Sequence, residues 1–434
     1  MQPIRSALAY IALIAAILAL LPGMAGLGAG AVSLAVVLGW QDMRRVPKAV
    51  FLVAGLALVF ALGRDPGLIG AAAGNMSRLA GLVLAVMILS SVLGRTSDLQ
   101  QISISLFGGN PVVRYLSLAF GTSVVSIPLN FGSVAIVGSL VGERVRSNGD
   151  SPATRNAARA VLRGFGVSPT FSPLSISVVL TLTLLPGLGS LDLLLFTVPF
   201  SAALVLCGLI WRESESVQQM DAPVNKAGVA PWLRFGTLIL AICAGVFLFS
   251  QRYQLSYAHA VTLSCMVAVI GARLLAWIRK TNPPLVNMSS VSNELAIVGG
   301  SAFLGSVISG AVLGQISGDP TLPNWLWPVI AACAPWVFFA AGLAGINPIV
   351  VGTLAGGILG AIWPERALLG LGIGMVTGWG LTAFGTPFAA NALIMERLTG
   401  YAAMDASFRW NLRLSLVGLI AASVLAAAVT AVRV

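Results

Sequence analysis

The sequence predicts an all-α polytopic membrane protein built on an inverted repeat. It contains two re-entrant helical hairpins and two broken transmembrane helices. Three observations carry this. The 434 residues are 57% apolar and 9% charged, where soluble domains run at about 45–50% and about 25%. The apolar residues gather in runs of membrane-spanning length, with a mean hydropathy of +0.94. Two of those runs are too long for one helix and carry a Pro/Asn interruption in the middle. This composition excludes a soluble enzyme, a nucleic-acid binder and a disordered chain.

A bilayer-spanning helix needs about 20 apolar residues. The runs lie at 6–23, 25–40, 49–63, 77–94, 112–141, 165–189, 191–211, 233–251, 258–278, 295–314, 325–363, 368–395 and 412–434. The first is short, but another follows at once, so the pair reads as a first transmembrane hairpin and not as a cleaved signal. Run 112–141 contains Ser126-Ile-Pro-Leu-Asn130 and run 325–363 contains Gly345-Ile-Asn-Pro348. A residue before proline is pushed out of helical geometry, so each run reads as two half-length helices joined by a turn.

The net charge of +11 marks topology. No basic run is long enough for a nucleic-acid patch, and basic residues concentrate in cytoplasmic loops of membrane proteins. Arg5, the segment Gln41–Lys48 and the stretch 142–164 with Arg144, Arg146, Arg155, Arg159 and Arg163 all fall on one side if 112–141 is a hairpin. The linker 212–232, Arg279-Lys280 and the segment from Glu396 to Arg409 join them, while 64–76 and 315–324 lie outside. This threading places the N-terminus in the cytoplasm of a multi-pass protein of the bacterial inner-membrane type. Arg159 and Arg163, four apart on one helix face, read as snorkelling anchors in preference to anion attractors.

The two halves repeat. Leu79–Gly94 precedes the first hairpin and Leu295–Gly314 the second; Gly164–Pro173 follows the first and Thr382–Asn391 the second. Prolines 128 and 348 are 220 apart, prolines 169 and 387 are 218 apart, and half the chain is 217 residues. The threading gives the halves opposite senses. Paired interruptions in inverted repeats point to the midplane site of secondary transporters.

Broken helices are tolerated only where they line a cavity or the protein interior. Half-helix N-termini favour anions, while unwound carbonyls can hold cations. Small polar side chains flank the breaks, and Ser126, Asn130, Ser133, Ser168, Thr170, Asn347, Thr386 and Asn391 are the substrate candidates. Asn130, Gly166, Asn347 and Gly385 are the cation candidates. No Asp or Glu lies deep in a predicted span, which disfavours a proton relay. Cys207, Cys243, Cys265 and Cys333 are scattered and His259 is the single histidine, so no metal site or Cys–His nucleophile is expected. No cofactor motif appears, and the reading leaves Na+ bound by neutral oxygens or a proton carried on the substrate.

The hairpin Ser126-Ile-Pro-Leu-Asn-Phe-Gly-Ser133, the segment Gly164–Pro173, Gly345–Pro348 and Gly378–Pro387 resemble the ion transporter superfamily. That group includes the divalent-anion/sodium symporters, arsenite permeases, NhaD-type antiporters and anaerobic dicarboxylate carriers. The resemblance covers the element order from about residue 77 to 400. It implies an elevator-type carrier that works as a homodimer. Its division would be scaffold helices in 1–76, repeat 1 in 77–211, a linker in 212–232, second-half scaffold in 233–294 and repeat 2 in 295–434. The symporters carry Ser-Asn-Thr runs at the hairpin tips; here the tips read Asn130-Phe-Gly-Ser133 and Asn347-Pro348.

The function expected is therefore secondary active transport of a small anion, carboxylate-type favoured, with Na+ favoured over H+ as the coupling ion. A Na+/H+ antiporter or an exporter of another small solute is the alternative. A membrane enzyme lacks the His, Asp or Cys it would need, and a channel would not need the paired hairpins.

Overall fold

The computed structural model describes residues 2–94, 96–215, 228–281, 284–315 and 322–434. Among them the chain is helical with no strand. In order come α1 (Gln2–Ile17), α2 (Met24–Leu38), α3 (Arg45–Arg64), α4 (Gly67–Leu93), α5 (Ser97–Ser105), α6 (Pro111–Leu129), α7 (Phe131–Asn148), α8 (Pro152–Phe171) and α9 (Ile176–Leu184). There follow α10 (Ser190–Cys207), α11 (Val229–Phe247), α12 (Tyr257–Ile278), α13 (Ser292–Leu313), α14 (Leu326–Leu343), α15 (Pro348–Ile362), α16 (Leu368–Gly385), α17 (Ala390–Thr399) and α18 (Leu412–Arg433). Eleven helical stretches among the described residues are long and apolar enough to cross a membrane. The protein is thus a multi-pass membrane protein. The two longest stretches, Pro152–Leu184 and Glu365–Thr399, each contain a break.

Both long runs are interrupted where proline and asparagine predict it. The first turns at Asn130, at φ 49° between α6 and α7, and the second at Gly345, at φ 75° between α14 and α15. The chain folds back at the first turn, since Ser126 Oγ and Ser133 Oγ, seven residues apart, are 2.6 Å from each other. In one straight helix that spacing would span about 10 Å.

The halves pack alike. α6 lies on α8 as α14 lies on α16, and α7 packs on α17 as α15 packs on α9. Corresponding helices also touch each other. On α4 and α13, Asn75 donates to Ser306 at 2.6 Å while Leu68 meets Gly310. On α8 and α16, Gly166 meets Phe384 while Thr170 meets Gly380. Rising numbers on one helix meet falling numbers on the other, so both pairs cross antiparallel. Glycine permits the second crossing, because a Cβ at Gly166 would lie 2.5 Å from the Phe384 ring.

Several expected loops are helix. Residues 64–76 are mostly the first turns of α4, whose polar Asn75 is held by Ser306. The stretch 142–164 continues α7 to Asn148 and starts α8 at Pro152, so α8 begins well before residue 165. A Ser151/Thr154 capping box and Pro152 at the first position start it, and interspersed alanines favour it. The Glu396–Arg409 segment carries the end of α17 and a π-helical turn, Met404–Arg409. In the other direction, α1 and α2 are only 16 and 15 residues long and pack on each other across a left-handed Gly23. Residues 216–227 of the expected linker and 316–321 of the expected outer loop lie outside the described residues.

Candidate functional site

The two breaks share one construction. Pro173 has no N–H, so the carbonyl of Pro169, four residues earlier, loses its helical donor. Hydroxyls of Ser175 and Ser177 replace it, the former at 3.1 Å. Pro387 orphans the Ala383 carbonyl in the same way, and Asn391 Nδ2 donates to it at 2.8 Å. Ser177 and Asn391 each stand four residues after their proline. Buried carbonyls require such partners.

This accounting separates the candidate residues. Asn391 is buried with its amide N–H on the break, so it is a strut of the second broken helix. Thr386 donates back to the Thr382 carbonyl at 2.9 Å, and Thr170 bonds the Val167 carbonyl and Ser201. Ser126 and Ser133 bond each other and the local backbone. Asn347 caps α15, its Oδ1 accepting from Ile349 N at 2.9 Å. Gly166 sits against Phe384 and Gly385 against Ser415 and Phe339, so both permit close helix contact.

Asn130 and Ser168 remain. Among the described residues neither side chain makes a hydrogen bond. Asn130 is half-buried in the turn, and α7 behind it has no side-chain cap. The start of α7 and the Asn130 amide thus lie at one tip, where Ser133 N donates to the Asn130 carbonyl at 3.1 Å. Phe131 stacks on Phe165 at a centroid distance of 5.2 Å, and Ser168 lies one turn on from Phe165 along α8. Tip 1 and α8 thus bring Asn130 and Ser168 to the same helix pair. Asn347, Thr386 and Asn391 belong to the second hairpin and second break, where Phe388 of the break lies beside Gly345.

Residues outside the expected set hold this arrangement. Ser90 of α4 donates to the Leu129 carbonyl at tip 1, at 3.1 Å. Ser407 donates to the carbonyls of Phe384 and Thr386 at 2.8 and 2.9 Å. Asn411 bonds the Ser407 carbonyl at 2.9 Å and accepts from Arg163 Nε at 2.7 Å. Arg163 is no snorkelling anchor. It is 1% exposed and also donates to Tyr115 and the Gly208 carbonyl, so it links α8 to the second break. The one sequence signal for this clamp is a polar pair four apart, Ser407 and Asn411, in a segment read as loop.

Arg159 is not a free anchor either. It pairs with Glu213 at 2.6 Å, Arg155 pairs with the same carboxylate at 2.8 Å, and Arg114 pairs with Glu215. Burial pushes the Glu213 carboxyl up, but the two guanidiniums outweigh it and hold it below the usual carboxylate range. These ion pairs fasten residues 213–215 to α6 and α8.

Among the described residues no group of three His, Cys, Asp or Glu could hold a metal ion. Two cavities stand out, one between α14 and α18 and one beside the start of α1. Neither is lined by a candidate residue.

No protein family model matches this chain. No curated protein matches it. Among solved structures, a crystal structure of the YdaH transporter from Alcanivorax borkumensis, described as having an unusual topology, is similar to it with a TM-score of 0.49 and 15% sequence identity, over 82% of this chain and 86% of that one.

Proposed function

We propose that this chain is a secondary active transporter of a small organic or inorganic anion, carboxylate-type favoured, driven by an ion gradient with Na+ favoured over H+. The observation that carries the proposal is the antiparallel crossing of α8 and α16, each broken beyond the crossing at a proline. Each hairpin sends its second arm onto the other half's post-break helix. Helices related in this way run in opposite senses, which supports an inverted repeat with re-entrant hairpins, as in the ion transporter superfamily.

Substrate binds at tip 1, where Asn130, Ser168 and the N-terminus of α7 offer donors to a negative charge. No Asp or Glu lies in the middle of a described span, so an obligatory proton relay has no carboxylate to use. Neutral oxygens at the tips serve the cation. Alternating access is of the elevator type, the hairpins and broken helices moving against a scaffold that includes α1–α3, α11 and α12 in a homodimer. The N-terminus faces the cytoplasm.

The test is accumulation in proteoliposomes. Candidate anions are first ranked by thermal shift with and without Na+, since a ligand that binds the native state stabilises it. Wild-type protein is expected to concentrate the selected anion above its outside level under an inward Na+ gradient. Uptake that stops at equal concentrations would indicate a channel, and unchanged uptake by Asn130→Ala would refute the site.

A further inference from the structure

A second polar site lies away from the hairpins, at the end of the bundle where α1, α3 and α13 begin. A cavity of about 350 Å³ opens there between the first turn of α1, residues 39–43 and residues 289–293. Arg5 lines it with its side chain nine-tenths buried. Nη1 donates to Asp42 at 2.7 Å, but Nε is buried with no partner among the described residues. Asp42 is largely in water, with 71% of its side chain exposed, so solvent screens its hold on Arg5. Asp42, which lines the same cavity, meets the charge in part, and the Nε N–H is the buried donor left without an acceptor.

Other donors face the same space. Ser289 and Ser290 line the cavity, and neither hydroxyl makes a hydrogen bond among the described residues. The 22-residue helix α13 starts in its wall with no side-chain cap, and α1 starts beside it at Gln2. The N-terminus of α13, which carries Glu294 in its first turn, and a buried guanidinium line one cavity, and their donors favour a tetrahedral oxyanion. Arg44 and Arg45 are exposed on the adjoining turn and Lys48 is half-exposed. Spans α3 and α13 both begin here, so the cavity sits at the level of a membrane surface.

We propose that this cavity is a phosphate-binding site, taking the phosphate of a phospholipid headgroup or free inorganic phosphate. Arg5 Nε–H donates to one phosphate oxygen. The Ser289 and Ser290 hydroxyls and the first N–H groups of α13 donate to the others. The site is independent of the transport reading and would stand if that reading failed.

Native mass spectrometry of the full chain in mild detergent tests the lipid source, with phosphatidylglycerol as the probe and a diacylglycerol of the same chains as the phosphate-free control. Thermal shift in inorganic phosphate against chloride at equal ionic strength tests the free source. Arg5→Ala removes the guanidinium. Ser289→Ala/Ser290→Ala leaves the buried charge in place and answers the question if Arg5→Ala does not fold. A wild-type preference for phosphatidylglycerol over diacylglycerol, weakened at least about tenfold in either variant, supports the lipid source. A phosphate-specific thermal shift lost in the variants supports the free anion. Binding of both probes that neither variant alters would overturn the proposal.

Discussion

The two hairpin tips carry the same residue type, Asn130 and Asn347, 217 positions apart, and use it in different ways. Tip 2 reverses the chain at Gly345, which takes φ 75° without strain, and this frees Asn347 to cap α15. Tip 1 has no glycine at its reversal. Asn130 itself takes φ 49° and ψ −127°, a conformation that costs a non-glycine residue about 1–3 kcal/mol. Its amide is left without a partner inside the described chain. One asparagine is a structural cap, while the other is strained and unspent. The breaks make the opposite point. There the two halves solve the same problem, a carbonyl orphaned by proline, at matching positions with different side chains, Ser177 and Asn391. Corresponding positions therefore share a duty where proline orphans the same carbonyl, and part where the turn is built differently.

The widest separation between the tips is expected from Asn130→Ala. Loss of a hydrogen bond to a charged ligand is worth about 1.5–3 kcal/mol, so apparent affinity should fall about 10- to 100-fold in the uptake assay. Asn130→Gly sharpens this. It relieves the backbone and should raise stability by about 1 kcal/mol, yet it loses the amide, so uptake should fall as for alanine.

Next in size is Asn391→Ala. It strands the Ala383 carbonyl and should cost about 1–3 kcal/mol, read as a lower thermal midpoint. Ser177→Ala should cost less, because Ser175 stays on the Pro169 carbonyl. Equal losses would show that the breaks are not held as described.

Asn347→Ala should cost about 1 kcal/mol as a lost N-cap, and Asn347→Ser should recover most of it. A large uptake defect in Asn347→Ser at normal stability would break the contrast between the tips.

The smallest effect concerns pH. The Glu213 carboxyl is held low in the folded protein, so its contribution is present above the ordinary carboxylate value and is lost as pH falls through its folded value. Wild type should lose thermal stability on acidification below about pH 4 more steeply than Glu213→Gln.

The helical spans and the places where they are interrupted are legible in the sequence because their signals are local. Spans follow from apolar length, and the two breaks follow from Pro173 and Pro387, whereas Pro128 and Pro169 stay inside α6 and α8 and the first turn falls on Asn130. Arg159 and Arg163 were misread because their partners, Glu213 and Asn411, lie 54 and 248 residues away. Asn391 reads as a ligand-binding amide until the Ala383 carbonyl is seen within its reach. A list of Ser, Thr and Asn beside breaks names the polar inventory, and only the hydrogen-bond partners tell which members are spent. Residues 64–76 and 142–164 read as loops because polarity suggests exposure, whereas Asn75, Asn156 and Arg163 are polar side chains paired inside the helical packing.

In the proposed transporter the unspent Asn130 amide receives the substrate while Asn347 holds the turn. Side-by-side uptake by Asn130→Gly and Asn347→Ser in proteoliposomes, with thermal midpoints measured on the same preparations, tests it most directly. The account predicts that Asn130→Gly is at least as stable as wild type and strongly impaired in uptake, and that Asn347→Ser transports nearly as wild type does. Full uptake by Asn130→Gly would contradict it.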